Sequence, residues 1–202
     1  LLLGALVFAV QLTLAHAFDD HGFFGQDDVV FDADPETRLA SFAYGRTGGP
    51  RTYVVHPILS NYVTPAVALT AKSASLFFGE EAELRRAIAI GVAPLAAALK
   101  TAALLYLLLA AGLRLPGAFF GAALAAASFS QLVFGSVPDH WILSGLAMVA
   151  VHRLAVREVD PRQVSWLAPW ILAGVLATGV TITNGAAVVC LLFASSIARG
   201  DA

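Results

Sequence analysis

From Ala87 to Leu113 the chain carries one charged residue, Lys100, and no continuous polar face. At ~1.5 Å of rise per residue, a helix of this length crosses a hydrocarbon core of about 30 Å. No surface helix of a soluble domain reads this way, because such a helix keeps a polar stripe for water. The same pattern recurs along the chain. With 58% hydrophobic residues, 13% charged residues and a mean hydropathy of +0.78, the composition is that of a polytopic membrane protein. The expected fold class is therefore all-α, in a single transmembrane domain over 1–202. Six spans are expected, at 1–18, 84–113, 117–135, 140–156, 165–182 and 184–199, with a polar loop at 19–56 and a half-apolar segment at 57–79.

The first run, Leu1–Phe18, is about the minimum that spans, and it opens without a methionine. Residues upstream are expected to extend it. The Ala15-His16-Ala17 triplet imitates a signal-peptide cleavage site, but a retained segment reads as a membrane anchor. Cys190 is the sole cysteine and lies in an apolar run, so an intrachain disulfide is excluded. Basic residues are sparse and scattered, which gives no nucleic-acid footprint. A phosphate-cradling Gly-Lys-Ser loop, a CxxC pair and an HExxH helix are all missing from the sequence.

Charge is concentrated in one place. Of the 14 carboxylates, Asp19, Asp20, Asp27, Asp28, Asp32, Asp34 and Glu36 lie between the first span and Thr37. Pro35-Glu36-Thr37-Arg38-Leu39 reads as the first turn of a short helix. The segment 57–79 decides the topology. If it lies along the membrane surface, Arg114, Arg153, Arg157, Arg162 and Arg199 all fall on the inner side. If it crosses, they all fall outside. The positive-inside rule selects an interfacial helix. The acidic loop, His56, Ser136–His140 and Thr181–Asn184 then share the outer face.

This order of features resembles the N-terminal half of the GT-C superfamily of integral-membrane glycosyltransferases, which includes protein mannosyltransferases and aminoarabinose transferases. The matching residues are Asp34 in Asp32-Ala33-Asp34-Pro35-Glu36-Thr37-Arg38-Leu39, then His56-Pro57-Ile58-Leu59, then Gly79–Arg86, and Asp139 in Val137-Pro138-Asp139. Members of that superfamily are usually longer and have more spans, and the residues after His56-Pro57 depart from the usual Pro or Leu. The resemblance implies transfer of a sugar from a polyprenyl-phosphate donor at the outer face of a bacterial inner membrane.

Asp34, Asp32 and Asp139 are then the catalytic candidates, with Asp34 as the base that takes the acceptor's proton. His56, Arg38, Arg51 and Asn184 are the substrate-binding candidates, the arginines and histidine for phosphate. A lipid-linked sugar donor is implied, and a divalent cation held with help from Asp139 stays open; no metal motif is present. Simpler roles stand beside these. Asp34-Pro35 reads equally as an N-cap before a first-turn proline, and Asp139 as a cap for the next helix. Arg38, Arg46 and Arg51 read as charge partners, and Thr183-Asn184-Gly185 as a turn. The alternative function is a non-catalytic accessory subunit of a larger membrane complex that retains a GT-C-like fold.

Overall fold

The computed structural model describes residues 2–26, 34–45, 56, 58–156 and 167–199. Among these the chain is all-α, without a strand. Its helices are α1 (Leu2–Asp20), α2 (Pro35–Tyr44), α3 (Thr64–Phe78), α4 (Glu81–Ala110), α5 (Leu115–Ala126), α6 (Phe129–Phe134), α7 (Trp141–Ala155), α8 (Leu167–Val180) and α9 (Asn184–Arg199). A 3-10 turn at Phe23–Gly25 follows α1, and a π turn at Leu59–Val63 runs directly into α3.

The organising element is α4, which packs against α1, α2, α3, α5 and α7. Glu81 and Glu83 sit in its first turn, where the helix dipole favours negative charge. Its buried face is built mainly from alanine: Ala89, Ala93, Ala96 and Ala97 are at most 2% exposed. Small side chains let neighbouring backbones come close, and a Cβ placed on Gly4 of α1 would lie 3.5 Å from the Ala98 carbonyl. Pro94 lies inside the helix and is buried. It removes one helical hydrogen bond.

Contacts between termini define two ends of the bundle. Arg86 at the start of α4 pairs with Asp19 at the end of α1 at 2.5 Å, so the two helices run antiparallel. That end also receives Asp34 and the start of α2, the loop between α6 and α7, and the turn between α8 and α9. We call it the acidic end. The opposite end carries Arg114 before α5 and His152 and Arg153 in the last turn of α7. Arg157 and Arg162 lie outside the described residues.

Both ends of α3 belong to the acidic end. Ile58, just before the π turn, packs on Gly179 near the end of α8, and Phe78 stands three residues before Glu81, which begins α4. A helix with both termini at one end does not traverse the bundle. Its exposed residues include Leu69, Leu76, Phe77 and Phe78.

The run 117–135, expected as one span, is instead two helices. It breaks at Ala127-Ser128, because the Ser128 hydroxyl accepts from the Gln131 N–H at 3.3 Å and caps α6. That hydroxyl also donates to the Ala125 carbonyl at 2.7 Å. Elsewhere the boundaries shift by a few residues: α1 extends through Asp20, α4 starts at Glu81 and ends at Ala110, and α8 ends at Val180. By length and composition, α1 and α4 are long and apolar enough to cross a membrane; α5, α7, α8 and α9 are apolar but shorter.

The seat of Ile58 on Gly179 is tight, since a Cβ there would come 2.4 Å from Ile58 Cγ1. Gly179→Ala should therefore lower stability by about 1–3 kcal/mol, the usual effect of overpacking. Adding Ile58→Ala should recover much of the loss. Thermal unfolding of the two single variants and the double variant in detergent measures this coupling.

Candidate functional site

Three segments distant in sequence meet at the acidic end. The first is α2. Its buried residues Pro35, Arg38, Leu39, Phe42 and Ala43 recur at helical spacing, so Arg38 is carried onto the same face as the apolar side chains and is 8% exposed. Pro35 occupies the first turn as the sequence suggests, with Asp34 at the N-cap position. Asp34 makes no side-chain capping bond. Its backbone instead serves both sides, with the carbonyl accepting from Arg38 N–H at 2.9 Å and the N–H donating to Asp139 Oδ2 at 3.3 Å.

The second segment is the loop Ser136-Val137-Pro138-Asp139, which is buried throughout. Asp139 is 1% exposed. A carboxylate so deeply placed needs donors, because an isolated buried charge is expensive. Oδ2 takes the Asp34 N–H. Oδ1 takes the His140 N–H and lies 3.8 Å from Arg38 Nε. His140 Nδ1 also abuts Oδ1, off the hydrogen-bonding line. Both oxygens are thus engaged within the protein, which gives Asp139 a positioning role: it fixes the entry to α2 against the start of α7. It does not cap α7 in the usual manner, since its bond goes to the adjacent N–H. Among the described residues, no group of three His, Cys, Asp or Glu side chains is arranged to hold a metal.

The third segment is His56, 4% exposed. Its Nδ1 lies 2.6 Å from the Val180 carbonyl. A carbonyl only accepts, so Nδ1 carries the hydrogen and Nε2 keeps the lone pair. The ring lies against His140 at a tilt of 39° with centroids 4.2 Å apart, and His140 in turn lies 4.7 Å from the Trp141 ring. Burial pushes the His56 imidazole below the usual histidine range. The Val180 carbonyl opposes that shift, His140 and Arg38 add to it, and Asp139 opposes it.

The structure thus brings Asp34, Arg38, His56 and Asp139 together. Asn184 serves elsewhere: its Oδ1 accepts from the Ser144 hydroxyl at 3.0 Å and its Nδ2 donates to the Ala177 carbonyl at 3.0 Å, tying α9 to α7 and α8. Asp32 and Arg51 lie outside the described residues, as do Arg46 and Pro57. His140 was not among the sequence candidates. Its signal was only its place after Asp139, and the partner that gives the position meaning, His56, is 84 residues earlier (140 − 56). Three buried polar atoms at this end make no hydrogen bond: Arg38 Nε, His140 Nδ1 and Thr181 Oγ1.

A polar chain supports the loop from below. Ser136 donates to Gln11 Oε1, and Gln11 Nε2 donates to the Gln131 carbonyl at 3.1 Å. Lys100 Nζ donates to Gln131 Oε1 at 2.8 Å. Gly145 of α7 leaves room for the ammonium; a Cβ there would lie 3.1 Å from Nζ. Beside these residues an apolar groove of about 420 Å³ opens between α3, α4 and α7, lined by Tyr62, Val63, Val92, Leu99, Leu143 and Leu146 among others. Its lining residue Leu143 is three residues along from His140, and none of Asp34, Arg38, His56 or Asp139 lines it.

No family model matches the chain, and no curated protein or solved structure matches it either.

His56 also sets a pH dependence. Its folded value lies below the unfolded 6.5, so on acidification the unfolded chain binds a proton that the native site resists. Its contribution to stability is complete above pH 6.5 and declines as the pH falls below that value. Unfolding temperatures measured between pH 8 and pH 5 should fall more steeply for the wild type than for His56→Gln, whose amide still donates to the Val180 carbonyl.

Proposed function

We propose that the chain is a polytopic membrane glycosyltransferase, or a segment of one, of the GT-C type that its motifs resemble. In this reading the acidic end faces outward from a bacterial inner membrane, and Arg114 and Arg153 mark the inner side. The observation that carries the proposal is the convergence of Asp34, Arg38 and His56 around Asp139, with an apolar groove whose lining residue Leu143 is three residues along from His140. A polyprenyl-phosphate sugar needs both kinds of feature: polar side chains for phosphate and sugar, and an apolar surface for the tail.

The chemistry is a displacement at the anomeric carbon. The acceptor hydroxyl oxygen forms the new glycosidic bond, and the bond from that carbon to the phosphate oxygen breaks. Polyprenyl phosphate leaves with the electron pair, and the hydroxyl proton passes to the Asp34 carboxylate. Arg38 is the group to meet the leaving phosphate, and the His56 Nε2 lone pair is the acceptor for a sugar hydroxyl. Asp139 holds Asp34 and Arg38 in register.

Asp34→Asn separates this reading from a purely structural one. Asparagine has the same shape and keeps an oxygen that accepts hydrogen bonds, so the exchange should change unfolding by no more than ~1 kcal/mol. Loss of the general base should slow transfer by about 10²–10⁴-fold. The assay is sugar transfer from a panel of polyprenyl-phosphate sugars in nanodiscs. Transfer at the wild-type rate by Asp34→Asn excludes it as the base. A wild-type protein that binds no lipid-linked sugar but co-purifies in fixed ratio with a larger membrane assembly is an accessory subunit.

A further inference from the structure

We infer that Lys100 is the docking point for a partner transmembrane helix that carries a carboxylate at mid-bilayer depth, received on the flank formed by α4 and α7. The inference shares the membrane placement of the transferase reading and is independent of its chemistry.

Lys100 is the central residue of the otherwise uncharged run 87–113. It stands thirteen residues after Ala87 (100 − 87) and ten before Ala110 (110 − 100), where α4 ends. At ~1.5 Å per residue these are ~20 Å and ~15 Å, the shorter being about half of a hydrocarbon core. A lysine stem, five bonds of ~1.5 Å in zigzag, reaches only about 6 Å, so the ammonium does not snorkel to either surface. It turns inward instead. The stem lies along α7, where a Cβ on Gly145 would come 3.3 Å from Cδ and 3.1 Å from Nζ. Nζ donates to Gln131 Oε1 at 2.8 Å.

That amide oxygen takes one of three ammonium donors and leaves the charge uncompensated. The other cations with described side chains are treated differently. Arg38 lies against Asp139, Arg85 pairs with Glu81 and Arg86 with Asp19, while Lys72, Arg114 and Arg153 are exposed. Among the described residues, no carboxylate forms an ion pair with Lys100. A charge at this depth is costly, and membrane proteins hold such charges by pairing them. Lipid phosphates lie at the two surfaces and do not come so deep. A carboxylate reaches the level of Lys100 on a segment that itself crosses the bilayer.

The flank has room for one. The buried residues of α4 end at Thr101, nine residues before the helix does (110 − 101). On α7 only Ile142 and Val151 are buried, and Gly145, which Lys100 touches, lies between them. Lys100 itself is only partly buried. A helix with Asp or Glu at this level supplies the anion, acceptors for the remaining donors, and cover for the lower flank.

The test uses the full chain in liposomes with dansyl-labelled, tryptophan-free Leu/Ala transmembrane peptides that differ at one central residue: Glu, Gln or Leu. Energy transfer from the chain's three tryptophans reads association at neutral pH. The Glu peptide should associate about ten-fold more tightly than the Leu and Gln peptides. Moving its Glu by eight residues toward one end should remove the advantage, and so should Lys100→Met in the chain. The peptide series on the wild type decides the matter even where Lys100→Met fails to fold. Equal association of the three central peptides overturns the inference. So does a Gln peptide that matches Glu, which is the behaviour of a lysine that has given up its proton, or an unchanged preference in a folded Lys100→Met chain. If the peptide series fails on a chain that stays with the liposomes through an alkaline wash, only this inference falls. A chain that the wash strips from the liposomes removes the membrane placement, and the transferase reading falls with it.

Discussion

The Asp139 carboxylate is the interaction on which the acidic end depends. It is almost wholly removed from water, and its two oxygens join the backbone before α2, the guanidinium of Arg38 and the first residues of α7. A buried charge held this way contributes little net stability by itself, because its desolvation offsets most of the attraction. What it contributes is position. Each donor comes from a different part of the chain, so the loop can settle only where all of them arrive together. Removing Asp139 would leave Arg38 buried without its carboxylate, which is more damaging than replacing both partners together.

That arrangement has a foundation in the polar chain below it. Gln11 is the buried polar residue of α1, and it touches both the Ser136 hydroxyl and the Gln131 carbonyl. Gly135 lies against the same glutamine, with room for no side chain: a Cβ there would come 2.8 Å from Gln11 Cδ. The Gln131 carbonyl accepts the Gly135 N–H at 2.9 Å at the end of α6 and takes the Gln11 amide as a second donor, so one oxygen ties α6 to α1. Hydrogen bonds inside an apolar bundle are directional where packing is not, so they fix the height of the loop relative to α1 and α4.

The helical class was legible because long apolar runs leave few alternatives. The start of α2 was legible because proline is favoured in the first turn of a helix, where its missing N–H costs nothing. The meeting of Asp34 with Asp139 was legible only as a shared side of the bundle, inferred from arginine distribution. Distances could not be read, and neither could division of labour: Asp139 and Asp34 are both loop carboxylates in sequence, and only their partners distinguish them. The split at Ser128 was hidden by composition, since one hydroxyl among alanines and phenylalanines hardly alters hydropathy while its hydrogen bond redirects the chain. Asn184 was misleading for the opposite reason. A polar side chain at the end of an apolar run looks available, but two neighbouring helices use it.

The way α3 is fastened has a bearing on traffic. One end is held by the bond from His56 to the Val180 carbonyl and by Ile58 on Gly179, the other by the short connection through Gly79 to α4. A roof tied down at both ends does not lift, so anything occupying the groove beneath it comes and goes sideways, through the gap between α3 and α4. The lining of the groove is apolar, so that gap admits apolar groups at little cost and polar ones only with the loss of their hydration.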